Sequence, residues 1–112
     1  MDILFRSRRL QRDCSLLKNA VRRWGDECGH LILARLDDLR AAENLSHMRI
    51  SPSGRCHELT GDRRGQLSID VKHPYRLIFT PVDRPVPRKP DGGLDWVRVT
   101  QVCVLGVEDT HE

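Results

Sequence analysis

The sequence predicts an α+β domain in which two N-terminal helices pack on one face of a mostly antiparallel sheet of four or five strands. Three observations predict it. Apolar residues recur at steps of three or four through the first third of the chain, they alternate with polar residues after Gly65, and the stretch from Trp96 to Val107 is rich in valine. A length of 112 residues suits one domain, residues 1–112, with one modest core.

Ile3, Leu4 and Phe5 form a short apolar run that can serve as a first strand. Leu10, Cys14, Leu17, Val21 and Trp24 then trace one helix face before Gly25 interrupts; whether residues 8 to 24 form one helix or two pieces stays open at this level. Asp26 can cap the second helix, in which Cys28, Leu31, Ile32, Leu36, Leu39 and Ala42 recur at similar steps. The turn formers between Asn44 and Gly54 read as a linker.

Leu67, Ile69 and Val71 alternate with Gln66, Ser68 and Asp70, the period of a strand with one buried face. A tight turn at Lys72-His73-Pro74 follows. Tyr75, Leu77 and Phe79 then alternate with Arg76, Ile78 and Thr80, so Arg76 projects away from the core, a cation above an open sheet surface. Pro81 to Asp95 holds Pro81, Pro85, Pro87 and Pro90 with Gly92 and Gly93, which marks a long hairpin loop. Trp96 to Val107 reads as a central strand covered on both faces.

Hydrophobic residues make up 38% of the chain and charged residues 31%, a balance that excludes a disordered polyelectrolyte. No apolar run approaches the roughly 20 residues needed to span a bilayer, and the first residues lack the layout of a secretory signal, so the expected location is the cytoplasm and no membrane partner is expected. Cys14, Cys28, Cys56 and Cys103 lie inside periodic segments, which favours free thiols. Without a Cys-x-x-Cys or a spaced His pair, neither a metal site nor another cofactor is expected.

A net charge of +3 says little by itself, but its distribution says more. Arg6, Arg8, Arg9, Arg12, Lys18, Arg22 and Arg23 crowd the first quarter, as a solvated helix face or as RNA contacts. Arg55, Arg63, Arg64, Lys72 and Arg76 surround a second feature, the run Arg55-Cys56-His57-Glu58-Leu59-Thr60-Gly61-Asp62-Arg63-Arg64-Gly65. With the terminal Glu108-Asp109-Thr110-His111, that run offers two imidazoles, a carboxylate and several arginines. Such groups suit metal-free cleavage of RNA: one takes the proton of a 2′-hydroxyl, another protonates the departing 5′-oxygen, and cations neutralise the crowded phosphate. His57, just before a Gly-containing turn, can exchange a proton near neutrality. Arg76 offers a planar fork of donors to phosphate oxygens, with an ion pair to Asp70 as its structural alternative.

His-x-Leu-x-Gly-Asp at 57–62, Leu67 to Val71, Tyr75 to Phe79 and a valine-rich strand ending in Asp-x-His together resemble the HigB-type toxins of the RelE/ParE superfamily. The resemblance implies the RelE-like fold, with catalytic groups on the sheet face away from the helices. It further implies the toxin of a type II toxin–antitoxin pair acting as a ribosome-dependent mRNA endoribonuclease. The resemblance assigns catalytic roles to the Asp-x-His, with Asp109 orienting a histidine or holding the attacking hydroxyl. His111 and Asp109 join His57 and Arg76 as the expected catalytic residues, and Arg63, Arg64, Thr60 and Thr110 are the expected substrate-binding positions. Thr60 and Thr110 stand where RNA-cleaving members commonly carry lysine and tyrosine. The implied partners are mRNA on the ribosome and a HigA-like helix-turn-helix antitoxin, with operator DNA reached only through the antitoxin complex. Two rivals remain: a ParE-like gyrase inhibitor without catalysis, and a degenerate toxin that acts only as a co-repressor.

Overall fold

The computed structural model describes residues 1–50 and 54–109. Strand β1 (Asp2–Phe5) leads into helices α1 (Arg8–Ser15), α2 (Leu17–Trp24) and α3 (Asp26–Ala41), and one further turn of helix, α4 (His47–Ile50). Strands β2 (Cys56–Glu58), β3 (Leu67–Asp70), β4 (Tyr75–Pro81) and β5 (Gln101–Asp109) complete the sheet. Its order is β1-β5-β4-β3-β2. β1 runs parallel to β5, and every other pairing is antiparallel.

The first helical stretch is broken. Ser7 caps α1 by accepting the Leu10 N–H at 3.1 Å, and the chain leaves the helix at Leu16, which takes an extended conformation at φ −121° and ψ 130°. α2 ends at Gly25, whose φ of +90° suits glycine and whose N–H donates to the Val21 carbonyl. Gly25 thus holds the cap position expected of Asp26. Asp26 and Glu27 instead fill the first turn of α3, where carboxylates meet the positive end of the helix dipole. The helical layer therefore contains three helices where the periodicity suggested two.

α2 and α3 cross at very short range because α3 carries a glycine there. A Cβ built on Gly29 falls 2.8 Å from the Val21 nitrogen and 3.0 Å from the Ala20 carbonyl carbon, both backbone atoms that cannot swing aside. Gly29→Ala is expected to force the helices apart and lower stability by about 1–3 kcal/mol, read as a lower urea midpoint with unchanged slope.

Leu10, Cys14, Ile32, Leu36 and Leu39 from the helices meet Leu67, Ile69, Leu77, Phe79, Val102 and Val104 from one sheet face, and all are buried. The expected linker also contributes. Leu45 and Met48 are buried in the same core, and the Leu45 N–H donates to the Val99 carbonyl. Among the described residues no helix is long and apolar enough to cross a membrane. All four thiols are free, and burial pushes Cys14 up to about 11 and Cys56 up to about 12.

The segment after Asp95 differs from the uninterrupted strand expected there. Trp96–Arg98 forms a 3₁₀ turn, in which the Arg98 N–H returns to the Asp95 carbonyl, and β5 begins only at Gln101. Asp83 ties the preceding proline-rich loop to this junction. Its carboxylate accepts from Thr100 Oγ1 at 2.9 Å, Thr100 N at 3.2 Å and Gln101 N at 3.1 Å. Burial would raise its pKa, but these hydrogen bonds outweigh that and hold it below the usual carboxylate value. A depressed folded pKa stabilises the protein above about pH 4 and stops doing so as pH falls through the lowered value. Asp83→Ala is expected to cost about 1–2 kcal/mol at pH 7, with the gap to wild type narrowing in acid, measured by urea titration across pH.

Candidate functional site

Strand register decides which side chains share the sheet face away from the helices. Ser68 lies opposite His57 and Ile78, and Ile78 lies opposite Gly106, which forms one row across four strands. The next row runs from Asp70 through Arg76 to Glu108. Since side chains alternate along each strand, both rows project from the same face, opposite to Leu67, Ile69, Leu77 and Phe79. Two strand spacings and one side-chain repeat put the Cα atoms of His57 and Arg76 about 12 Å apart, within the combined reach of both side chains.

The face is less bare than the alternation implied. Ser68 and Ile78 are fully buried, and the Arg76 side chain is only 14% exposed. Ser68 Oγ lies 3.5 Å from Nδ1 of His57, at the outer limit of a hydrogen bond. Arg76 Nε donates to Asp70 Oδ1 at 3.1 Å, and Arg55 Nε reaches Asp70 Oδ2 at 2.9 Å, so one carboxylate joins two guanidinium groups. The ion pair expected as the structural alternative for Arg76 is present. It holds the guanidinium in place beside the histidine row.

The other predicted positions separate. Arg63 is engaged by Glu108: Nη2 bonds Oε1, and Nη1 lies 3.3 Å from Oε2 and 3.0 Å from Gln66 Oε1. The Glu108 hydrogen bond raises the pKa of the guanidinium further. Arg64, next in sequence, is exposed and lines a cavity toward the proline-rich loop. Thr60 borders the outer part of that hollow. Asp109 ends β5 opposite Tyr75, on the alternate side from Arg76 and Glu108. Thr110 and His111 lie outside the described residues.

Glu108 and Ser68 belong to this face, although the sequence pattern assigns a role to neither. Their signal is phase: Glu108 falls in step with Arg76, and Ser68 with His57, only once the pairing is known. The N-terminal arginines also divide. Arg6, Arg9 and Arg23 border a hollow of about 290 Å³ beside Gly106 and Glu108, while Arg23 is paired with Asp13 at 2.9 Å. Among the described residues no group of three or more His, Cys, Asp or Glu side chains is arranged to hold a metal ion.

The model of the HigB-like toxin family, RelE-like toxins of the type II toxin–antitoxin system HigB, matches residues 20–87. Toxin HigB-1 from Vibrio cholerae serotype O1 (strain ATCC 39315 / El Tor Inaba N16961) is 42% identical over 52 residues, 46% of this chain. That match spans about half of the curated relative, 55% of its length. Two solved structures share the fold over nearly the whole chain. The YoeB/ParE toxin from Agrobacterium tumefaciens aligns with a TM-score of 0.59 at 11% identity, covering 99% of this chain and 100% of that one. The YoeB-YefM complex from Staphylococcus aureus aligns at 0.54 and 15% identity, covering 100% and 98%. With more than half of its length matched by the family model and a helix-backed mixed sheet in the order described, the chain belongs to the HigB-like family of RelE-like toxins from type II toxin–antitoxin systems.

Proposed function

We propose that this toxin is an mRNA endoribonuclease that acts on the translating ribosome by metal-independent attack of a 2′-oxygen on the adjacent phosphodiester. The observation that supports this reading most is the common face of His57 and Arg76, an imidazole two strands away from a guanidinium that Asp70 orients. When Nδ1–H donates to Ser68 Oγ, Nε2 of His57 presents its lone pair to the substrate and can take the 2′-hydroxyl proton. Arg76 then meets the charge that builds on the phosphate oxygens. His111 protonates the departing 5′-oxygen, and Asp109 orients a histidine or holds the attacking hydroxyl. The products are a 2′,3′-cyclic phosphate and a 5′-hydroxyl.

The ribosome supplies the alignment of mRNA that so small a set of groups does not provide alone. A HigA-like helix-turn-helix antitoxin neutralises the toxin in the cytoplasm, and the pair reaches operator DNA only through that antitoxin. Tightly controlled expression followed by mapping of mRNA 5′ ends tests the proposal. Clusters of new 5′-hydroxyl ends within coding regions support it; unaltered transcripts during arrested growth defeat it.

One observation favours a second reading. Thr60 lacks the charge of the family lysine, and Arg63, which could replace it, is already engaged by Glu108. A toxin short of one phosphate-binding cation fits the ParE-like alternative, inhibition of gyrase by binding. A supercoiling assay with purified gyrase separates the two readings.

A further inference from the structure

A second site lies across the sheet edge from the His57 face. His57 and Glu58 are neighbours on β2 and project to opposite sides, and on the Glu58 side a cavity of about 220 Å³ opens between the turn after β2 and the proline-rich loop. Its walls are apolar, from Leu59, Val86 and Leu94. Its polar side chains are Arg64, Arg84 and Arg88, together with the carboxylate of Glu58 and the hydroxyl of Thr80. A wider hollow of about 530 Å³ shares Arg64, Arg88 and Leu94 with it and continues to Thr60 and Gly93.

The three arginines differ from those of the first face. Arg55, Arg63 and Arg76 each bind a carboxylate, whereas Arg64, Arg84 and Arg88 form no ion pair among the described residues. Backbone carbonyls orient two of them instead. Arg84 Nη1 donates to the Pro81 and Asp83 carbonyls at 3.2 and 2.9 Å, and Arg88 Nη1 to the Gly92 carbonyl at 3.5 Å. A carbonyl fixes a guanidinium without cancelling its charge, and the remaining N–H groups of the fork stay available to an anion. Glu58 adds an acceptor: its Oε2 takes the Trp96 indole N–H at 3.2 Å, which leaves Oε1 for a ligand N–H.

Charge and volume together define the ligand. Three guanidinium groups against the single carboxylate of Glu58 select a phosphate, apolar walls select a flat or aliphatic body attached to it, and the cavity continues into the wider hollow, which gives room for a unit of that size. We infer that this cavity binds one nucleotide unit, with the phosphate on Arg64, Arg84 and Arg88 and the base between Leu59, Val86 and Leu94. Arg88 and Leu94 stand beyond residue 87, where the match to the family model ends, so part of the site is built by a segment outside that match. The inference does not depend on RNA cleavage at the other face.

Trp96 reports on the site through its bond to Glu58. In a Trp24→Phe background it is the sole indole, so its fluorescence can be followed while the full-length protein is titrated with inorganic phosphate, adenosine 5′-monophosphate, or a 2′-O-methylated tetraribonucleotide. A saturable change with the mononucleotide identifies a free nucleotide as sufficient, and a change with the oligonucleotide alone identifies a unit within a strand; either supports the site. Arg84→Ala with Arg88→Ala should weaken binding at least tenfold at an unchanged urea midpoint. Arg64→Ala, whose side chain makes no hydrogen bond among the described residues, provides the same test should the double variant unfold. No saturable change with either nucleotide probe, or equal affinity after the arginines are removed, overturns the inference.

Discussion

Alanine at His57 is expected to slow mRNA cleavage by about 10²–10⁴-fold and to abolish growth arrest, while leaving the fold intact. The size follows from the role proposed for His57: removal of a positioned base would leave the 2′-hydroxyl to lose its proton to water. The variant is clean because the histidine is half-buried on an edge strand of the sheet, and its contact with Ser68 sits at the limit of hydrogen-bond distance. Arg76→Ala would be a poorer probe. It also removes one of the two guanidinium groups on Asp70, so loss of activity would mix lost phosphate binding with a rearranged ion network. Growth arrest that persists undiminished in the His57 variant, with unaltered mRNA ends, would reject cleavage and direct attention to gyrase.

Phe79→Ala is expected to cost about 3–5 kcal/mol, the largest loss of stability from any single truncation in the sheet. Phe79 is fully buried in β4, between Leu67 on β3 and Val104 on β5, and it faces the helices. The ring leaves a cavity bordered by elements from both layers, which close packing prevents from collapsing. Domains of this size are stable by only about 5–15 kcal/mol, so the variant should melt roughly 15–30 °C lower. Val97, 62% exposed in the 3₁₀ turn, provides the contrast: its alanine variant should stay within about 0.5 kcal/mol of wild type. Equal midpoints for the two variants in urea would contradict the assigned core.

Much of the architecture is readable because it is written in local periodicity. The alternation from Leu67 to Phe79 corresponds to β3 and β4, and the three- and four-residue steps from Cys28 to Leu39 to α3. Readings stay open or fail where a single residue's backbone conformation decides the outcome. Leu16 adopts an extended conformation that splits a continuous apolar stripe, and Gly25 takes the cap from Asp26. The valine-rich stretch misleads in the same way, since the hydrogen bond from Arg98 to Asp95 delays the strand until Gln101.

For the candidate site, sequence alone determined the residue types and their phase: a histidine ahead of a glycine turn, and an arginine out of step with its apolar neighbours on a strand. Tertiary structure decided which cations remain available. Arg63 meets Glu108 across 45 positions of sequence, Arg76 shares Asp70 with Arg55, and Arg64 turns toward a loop that begins after β4. Local pattern encodes the direction in which a side chain leaves its own strand. The charge it meets there depends on strand register and loop path, which arise only when distant segments pack together.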